Sequence, residues 1–597
     1  MSSPVFSAVE QTLLKPVSFF LIHPPGVRPC EPPAGIAILS EALTRCGVSH
    51  ILWDACLEGV CALLEEGAAG GDCGDSPPFG DSPAKRAPSM ELCGYTPPPW
   101  DTWTARAHRD RHRHLKEIRN GKAFGNFDTY VRAIGDLERV LSRHRSSKAG
   151  WRLGLADIAC EHRRPTHSGE LVQAAEDPLS DPFVAALRPR LEALVEAGGF
   201  THAGISVNYL TQAPSAFALI GLLRRLLPGI PIILGGGLVT SWLSRPDWKN
   251  PFGGLVDCLA TGPGVEPLLR FLGIANSLRT GEKDDSPTEK PTDMITEPMR
   301  ALLPRFTRIP SLEHCGNTYP PGDYLGNYFG DYFSPGLILP FSTANGCWWR
   351  KCAFCPERAE GGTYQPFGTP AETVDGIHRL VQLYQPRLIH LLDDAVSPAI
   401  LRELAQRPAG VSWYGFVRFG PPLDEPEACR ALARSGCVML QLGLESGDAR
   451  VLDAMGKGID PAIASKILNN LHEAGIANYV YLLFGTPAES ENEARTTLSF
   501  VARHASAIDF LNLAIFNLPA FGPETAALST APVDDGDLGF YRRFKHPLGW
   551  DRHHVRRFIN GEFKRHPAIA PILRRDPPIF TSSHAPFFTR GMGTQRT

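Results

Sequence analysis

The chain of 597 residues has no run approaching the roughly 18 consecutive apolar residues that a membrane-spanning helix requires. Its longest apolar stretches, around Phe19 to Ile22 and Ile230 to Val239, are broken by proline or glycine. The start, Met1 to Lys15, lacks the basic segment, apolar stretch and small-residue cleavage site of a secretory signal, so the expected location is cytoplasmic. Excess basic charge is missing too: 60 Lys and Arg face 63 Asp and Glu, a net charge of -3. Without a broad positive field no nucleic-acid partner is expected, which leaves room only for a local basic groove. The basic stretch Arg106 to Lys116 reads as the solvated face of a helix. Fourteen cysteines are too sparse for a disulfide scaffold, and Cys46, Cys56, Cys61 and Cys258 each stand alone in apolar surroundings. What is there is an ordinary globular composition, 43% hydrophobic and 21% charged, long enough for three or four structural units around at least one large core.

The order of elements is legible from the pattern. A buried-strand run from Val17 to His23 is stopped by two prolines, then come a helix over Pro33 to Gly47 and a short strand from His50 to Trp53. Residues 64–99, rich in Gly, Pro, Asp and Ser, read as a mobile insertion, followed by helical patterning between Thr102 and Arg145. Alternation then resumes with a helix from Pro182, strands at Ala203 to Val207 and Pro231 to Leu234, the run Gly235 to Gly237, and a turn at Gly262 and Gly264 before the next helix. Strands alternating with helices predict an α/β domain, a doubly wound Rossmann-like parallel sheet formed by residues 16–60 plus 183–273, interrupted by 61–182. The polar stretch Asn276 to Arg300, within 274–300, is expected to be a linker. Six or seven further strand-helix repeats between 330 and 530 predict a partial TIM-like (β/α)6 barrel, with its chemistry on the loops that follow the strands. Residues 531–597 read as an irregular His- and Arg-rich cap over the barrel mouth.

Directly after the first strand of that barrel stands Asn345-Gly-Cys347-Trp-Trp-Arg-Lys-Cys352-Ala-Phe-Cys355-Pro356. Three thiols on one short loop can converge on one centre. A structural zinc would call for a fourth Cys or His, usually as a second pair, and none is evident. Three ligands instead suit a 4Fe-4S cluster with one iron left open, with Arg350 and Lys351 helping to keep the thiols ionised. The bland alternative is three cysteines close by chance in a core loop.

With Phe354 before its last cysteine, the loop resembles the cluster-binding signature of the radical S-adenosylmethionine superfamily. It departs from the common pattern in having four residues, not three, between Cys347 and Cys352. Gly443-Leu-Glu-Ser-Gly447 followed by Val451 to Gly458 resembles that superfamily's fourth-strand motif, and Leu483-Phe-Gly-Thr-Pro-Ala-Glu489 resembles its glycine-proline turn. The resemblance covers roughly residues 335 to 530. It implies that Cys347, Cys352 and Cys355 are the catalytic metal ligands, and that the amino and carboxylate groups of S-adenosylmethionine chelate the open iron. One electron then cleaves the sulfonium to give a 5'-deoxyadenosyl radical inside a closed barrel. Such enzymes take their electron from a donor such as flavodoxin or ferredoxin.

Carried onto this chain, the resemblance points to further cofactor-binding residues. Glu445 would meet the ribose or amino group, or else cap the following helix. Asp393 and Asp394 would take the methionine ammonium, although the usual Gly-Gly-Glu is absent and helix capping is the alternative. Arg418 would pair with the methionine carboxylate as a fork, or stand in an exposed salt bridge. Gly485 and Pro487 would shape the adenine pocket. The N-terminal half resembles the cobalamin-binding domain of one branch of the superfamily, through Pro33-Ala-Gly-Ile-Ala-Ile-Leu, Gly204-Ile-Ser-Val, Leu234-Gly-Gly-Gly and Thr261-Gly-Pro-Gly-Val-Glu. Gly235, Gly236, Gly262 and Gly264 are the small residues that would admit the nucleotide tail. The Asp-x-His-x-x-Gly loop of many cobalamin proteins is missing, and His23 in His-Pro-Pro-Gly reads as structural. Three readings follow: a cobalamin-dependent radical enzyme transferring a methyl group to a small-molecule or peptide substrate; a radical enzyme whose N-terminal sheet is degenerate or binds substrate; and a non-catalytic iron-sulfur or zinc protein. No second three-cysteine set supports a methylthiolating enzyme.

Overall fold

A computed structural model describes residues 18–65, 101–144, 150–274 except 157, 328–355, 364–531 except 522, 536–578 and 584–589. The expected insertion over 66–99, the linker at 276–300 and Pro356 lie outside the described residues. Strands β1 (Ser18–His23), β2 (Ser49–Asp54), β5 (His202–Ser206), β6 (Ile232–Gly235) and β7 (Cys258–Leu259) form one parallel sheet in the order β2-β1-β5-β6-β7. The order reverses at β1, so the doubly wound expectation holds, and the carboxyl edge carries the β1 loop and the glycine turns. Phe20, Ile22, Ala203, Ile205 and Leu234 pack against the helices Pro182–Gly198 and Ala213–Leu226 in one apolar cluster. Asp181 caps the first of these helices by accepting from Phe183 N and Val184 N.

Between β2 and β5 the chain is more regular than the sequence suggests. A helix over Ala55–Glu65 follows β2 at once, Asp54 accepting from Leu57 N. Helices Thr102–Arg119 and Phe127–Leu141 appear as expected. A short antiparallel hairpin, β3 (Trp151–Leu153) with β4 (Ile158–Cys160), was not anticipated, because three-residue strands carry too little alternation to read. The buried side chains Phe124, Tyr130, Ile134 and Leu137 belong to the same apolar cluster as Leu440 and Leu482 of the second sheet.

The second sheet is parallel, in the order β15-β14-β13-β12-β11-β8, from β8 (Ile338–Phe341), β11 (Leu388–Leu391), β12 (Ser412–Val417), β13 (Cys437–Glu445), β14 (Ala477–Phe484) and β15 (Phe510–Ile515). Between β8 and β11, β9 (Ala344–Asn345) pairs with β10 (Gln365–Pro366). Four crossover helices start on a capping signal present in the sequence: Thr369 and Glu372 form a capping box with Pro370 at the first turn, Ser397 and Asp460 cap their helices, and Ser490 pairs with Glu493; the fifth, Pro426–Arg434, has only its proline. Along the strands, Leu391, Val417, Leu444, Leu482 and Leu511 are buried against the helices. The intervening His390, Phe416, Gly443, Tyr481 and Asn512 are half-exposed. That period-two alternation describes six strands around an open lumen.

Beyond the sixth strand the irregular cap is corrected. Residues 536–578 contain strand Tyr541–Phe544 and helix Arg552–Phe558, and Trp550 and Phe558 are buried whereas His553 is exposed and His554 half-buried. The many polar residues there hid an amphipathic element whose apolar face is only a few residues wide.

Candidate active site

The cysteine loop leaves β8 at its carboxyl end and returns to the protein through the turn after β13. Ala353 N donates to Met455 O at 2.8 Å, and Trp349 Nε1 donates to Gly456 O at 3.0 Å. Gly458, at φ 63°, lies under the Trp349 ring so closely that a Cβ there would sit 2.2 Å from a ring carbon. The turn 455–458 is therefore the seat of the loop. Phe354 faces the same turn, with the Lys457 ammonium 5.6 Å from its ring centroid.

None of the three cysteines is in a disulfide; Cys352 is buried and Cys347 and Cys355 are partly so. The cation beside them is Arg418, one residue past β12. Its Nη1 lies 3.7 Å from Cys352 Sγ, its Nη2 donates to Lys457 O, and its guanidinium stacks 4.2 Å over Trp349. Burial lowers the Arg418 pKa while the Cys352 and Cys347 sulfurs oppose that shift. Arg350 and Lys351 do not play the part expected of them. Arg350 turns the loop at φ 52°, both side chains are exposed, and Lys351 rests 4.9 Å over the Trp349 ring. Among the described residues no three His, Cys, Asp or Glu side chains are close enough to hold one metal ion. The sulfurs thus share a loop without meeting at a single ion's coordination distance.

Asp393 and Asp394 follow β11 but cap no helix, since Ser397 holds that position. Asp393 is buried and spent on the loop's root, accepting from Thr343 N at 3.1 Å and Thr343 Oγ1 at 2.6 Å. Burial raises its pKa against those bonds. Asp394 is exposed and takes no hydrogen bond among the described residues, and its surroundings also push its pKa up by desolvation. Glu445 does not cap the following helix either, because Asp448 does. It ends β13 in the left-handed region, φ 66°, and accepts from Lys457 Nζ at 2.8 Å in a pair whose side chains are 14% and 9% exposed. A β-carbon at Gly443 would lie 2.8 Å from Glu445 Oε1 and 2.9 Å from Lys457 Nζ, so this glycine makes room for the pair. A non-glycine residue held at positive φ on a strand end stores local strain where function is concentrated. Lys457 was not singled out from the sequence, although the Lys-Gly after Met455 was the available signal.

Gly485 follows β14 at φ 79°, and its N donates to Glu489 Oε2 at 2.5 Å. Glu489 also accepts from Trp550 Nε1 at 3.1 Å, and burial drives its pKa up to about 7. Pro487 sits half-buried on this turn. In the first sheet Gly235 ends β6, and Gly236, at φ 110°, passes so near Val207 O that a Cβ would be 2.4 Å away. Gly262 N donates to Thr240 Oγ1 at 3.0 Å, and Gly264 packs on Leu39 before helix Val265–Phe271. His23 is buried, burial lowers its pKa, and its Nδ1 has no partner. The barrel and the first sheet therefore bring their sequence-predicted residues to two strand edges, and the β1 loop joins them: Glu31 accepts from His390 Nδ1 of β11 at 3.0 Å.

Residues 341–501, which begin in β8 and end in the helix after β14, match the Radical SAM superfamily. The match lies within the second sheet and its helices and covers less than half of the chain. The chain is 26% identical over 178 residues to bacteriochlorophyllide d C-12(1)-methyltransferase of Chlorobaculum tepidum, covering 28% of this chain and 38% of that protein. It is 20% identical over 371 residues to an uncharacterized methyltransferase of Pyrococcus horikoshii, covering 59% of this chain and 73% of that one. The chain thus spans well under two thirds of the length of the first of these relatives. Among solved structures it is similar to the radical S-adenosylmethionine methyltransferase TsrM from Kitasatospora setae, at 14% identity with a TM-score of 0.46, over 87% of this chain and 77% of that one. A TM-score of 0.39 relates it to the cobalamin-dependent S-adenosylmethionine radical enzyme OxsB, at 16% identity over 55% and 46% of the two chains. No described helix is long and apolar enough to cross a membrane.

Proposed function

We propose that the protein is a cobalamin-dependent radical S-adenosylmethionine methyltransferase, with the N-terminal sheet (16–60 plus 183–273) as its cobalamin domain and residues 330–530 as its reaction domain. The observation that carries this reading is the three-cysteine loop, without a disulfide, seated on the 455–458 turn at the open end of the barrel and backed by Arg418. Each thiolate of a 4Fe-4S cluster binds a different iron, so the ligands need not crowd around one ion as they would around zinc at about 2.3 Å. Cys347, Cys352 and Cys355 would hold the cluster, which supplies one electron to the sulfonium of S-adenosylmethionine when both are bound. The two methyltransferase relatives support methyl transfer, and the second match extends over more of the chain than the barrel alone can account for.

The chain's own residues take these parts. Arg418 offers the thiolates a fixed positive charge in a desolvated setting, where it counts for more than in water. Because it is tied to Cys352 and Lys457 O, it serves as the loop's counter-charge rather than as the carboxylate fork. Asp394, free and at the strand end, is the acceptor for the methionine ammonium, since Asp393 is already used. Glu445, held by Lys457, presents its second oxygen toward a ribose hydroxyl. Gly485 and Pro487 border the adenine. In the first sheet, the turns at 235–236 and 262–264 leave the carboxyl edge low enough for a large flat ligand.

Full-length protein reconstituted anaerobically with iron and sulfide, then given S-adenosylmethionine and a reductant, should consume S-adenosylmethionine, and Cys352→Ala should not. Equal consumption by that variant overturns the assignment. Cobalamin retained through gel filtration supports the N-terminal reading, and a protein that never retains cobalt removes it.

A further inference from the structure

Deep to the strand-end residues, the inward side chains of three adjacent strands make a second tier that the S-adenosylmethionine chemistry does not use. His390 of β11 donates from Nδ1 to Glu31, at 3.0 and 3.1 Å from the two carboxylate oxygens. Glu31 belongs to the loop after β1, so the carboxylate reaches across from the first sheet's ligand edge. The imidazole stacks on Tyr414 of β12 at 4.3 Å and 10°, which fixes the plane of the ring. In the neutral ring with Nδ1 carrying the proton toward Glu31, Nε2 is a lone-pair acceptor, and this is the state the proposal takes. Nε2 has no hydrogen bond among the described residues, and the side chain is 12% exposed, so its free edge meets the lumen.

A second, independent observation comes from the neighbouring strands. Gln441 of β13 is 4% exposed, with its Nε2 held by Tyr481 Oη at 2.9 Å and its Oε1 buried without a partner. Tyr481 packs on Phe416 at 4.8 Å. A buried amide oxygen left unpaired is costly, and such groups persist where a ligand or water completes them. These strands therefore offer two acceptors, His390 Nε2 and Gln441 Oε1, beside the Tyr414 hydroxyl, which is also buried without a partner.

Resting on the reading of this barrel as a reaction chamber, we propose that the Glu31–His390 pair is its substrate-recognition element and selects a flat aromatic or heteroaromatic substrate bearing a ring N–H or O–H. His390 touches the substrate as hydrogen-bond acceptor; Glu31 is a positioning residue that sets the tautomer. The aromatic side chains Phe416, Tyr414 and Tyr481 suit a ring, and the unpaired acceptors demand a donor on it.

The test uses full-length protein with 15N-labelled histidine, its His390 signal assigned by loss in His390→Leu, and phenol and toluene as probes of equal size that differ in the donor. Wild-type protein should show the Nδ1–H tautomer at His390. Glu31→Leu should lose it, and Glu31→Gln, which keeps an acceptor, should restore it. Phenol should shift the His390 Nε2 resonance and bind about tenfold more tightly than toluene, the worth of one buried hydrogen bond. An Nε2–H tautomer in the wild type, or equal responses to phenol and toluene, overturns the proposal. Should Glu31→Leu fail to fold, the wild-type tautomer and the two probes still decide it. None of these readouts needs turnover, so failure of the proposed activity, read as no consumption of S-adenosylmethionine, is distinguished from failure of the binding element, read from the tautomer and the two probes.

Discussion

Gly458→Ala tests whether the 455–458 turn is the seat of the cysteine loop. Two costs add at this position. The backbone sits at φ 63°, where a side chain costs about 1 to 2 kcal/mol. The new Cβ would also stand 2.2 Å from the Trp349 ring, and relieving such a clash in a packed site costs about 1 to 3 kcal/mol more. Trp349 cannot yield cheaply, since its Nε1 is bonded to Gly456 O and its ring lies under Arg418. Gly475→Ala separates the two costs: its φ is 83°, and nothing lies within 4 Å of the Cβ it would gain. Urea unfolding of the full chain, followed by tryptophan fluorescence, should place Gly475→Ala about 1 to 2 kcal/mol below wild type and Gly458→Ala about 2 to 5 kcal/mol below. Iron bound per chain after anaerobic reconstitution should fall only in Gly458→Ala. Equal losses of stability in the two variants, with equal iron, would refute the idea that Trp349 on Gly458 holds the loop.

Three further variants probe neighbouring parts of the site. Asp393→Ala strips Thr343 N and Oγ1 of their acceptor in a buried place and should cost about 2 to 3 kcal/mol in the same urea titration. Asp394→Ala should leave stability within about 0.5 kcal/mol of wild type and weaken S-adenosylmethionine binding about tenfold by calorimetry; unchanged affinity would remove Asp394 from the ammonium role. Glu489 gives a pH signature. Burial raises its folded pKa to about 7 from an ordinary 4.5, so the folded state binds the extra proton between those values. Its contribution is fully favourable below about pH 4.5 and is lost as pH rises through 7, by about 3 kcal/mol. Glu489→Gln, which keeps an acceptor for Trp550, should flatten that part of the stability-pH curve between pH 5 and 8; an identical slope in both proteins contradicts the assignment.

Much of the fold could be read because α/β repeats announce themselves locally. Caps such as Thr369 with Glu372 and Ser490 with Glu493, prolines at helix starts and short β-branched runs specify each element without reference to the rest. The three cysteines and the Gly443 to Gly458 motif were legible for the same reason: their chemistry is written in consecutive residues. What escaped depends on contacts between distant segments. Arg418 looked like an open fork until Cys352, 66 residues away, and Lys457 O, 39 residues away, took its donors. Asp393 and Asp394 are equivalent in sequence, and only the packing of Thr343 against one of them separates a structural acid from an available one. The Glu31–His390 pair spans 359 residues, which no local pattern encodes.

That long-range bond also bears on how the two sheets can work together. A ligand on the carboxyl edge of the first sheet and one at the strand ends of the second would be useful to each other only if their edges were held in register. Three described contacts tie these parts of the chain together. Glu31 is tied to His390, Tyr332 Oη donates to Asp54 at 2.8 Å, and Arg119 donates to Asp331 O at 2.6 Å while stacking on Phe333. Asp54 is itself the residue that starts helix Ala55–Glu65 by accepting from Leu57 N, so the tyrosine bond is anchored in the sheet rather than in a loose side chain. Burial and the Asp54 charge push the Tyr332 hydroxyl pKa well above its usual value, which keeps it a neutral donor across the physiological range. The Tyr332–Asp54 contact is thus one whose donor does not titrate near pH 7. A group whose pKa burial does bring to about 7 is Glu489, on the turn after β14 and bonded to Trp550 of the C-terminal segment.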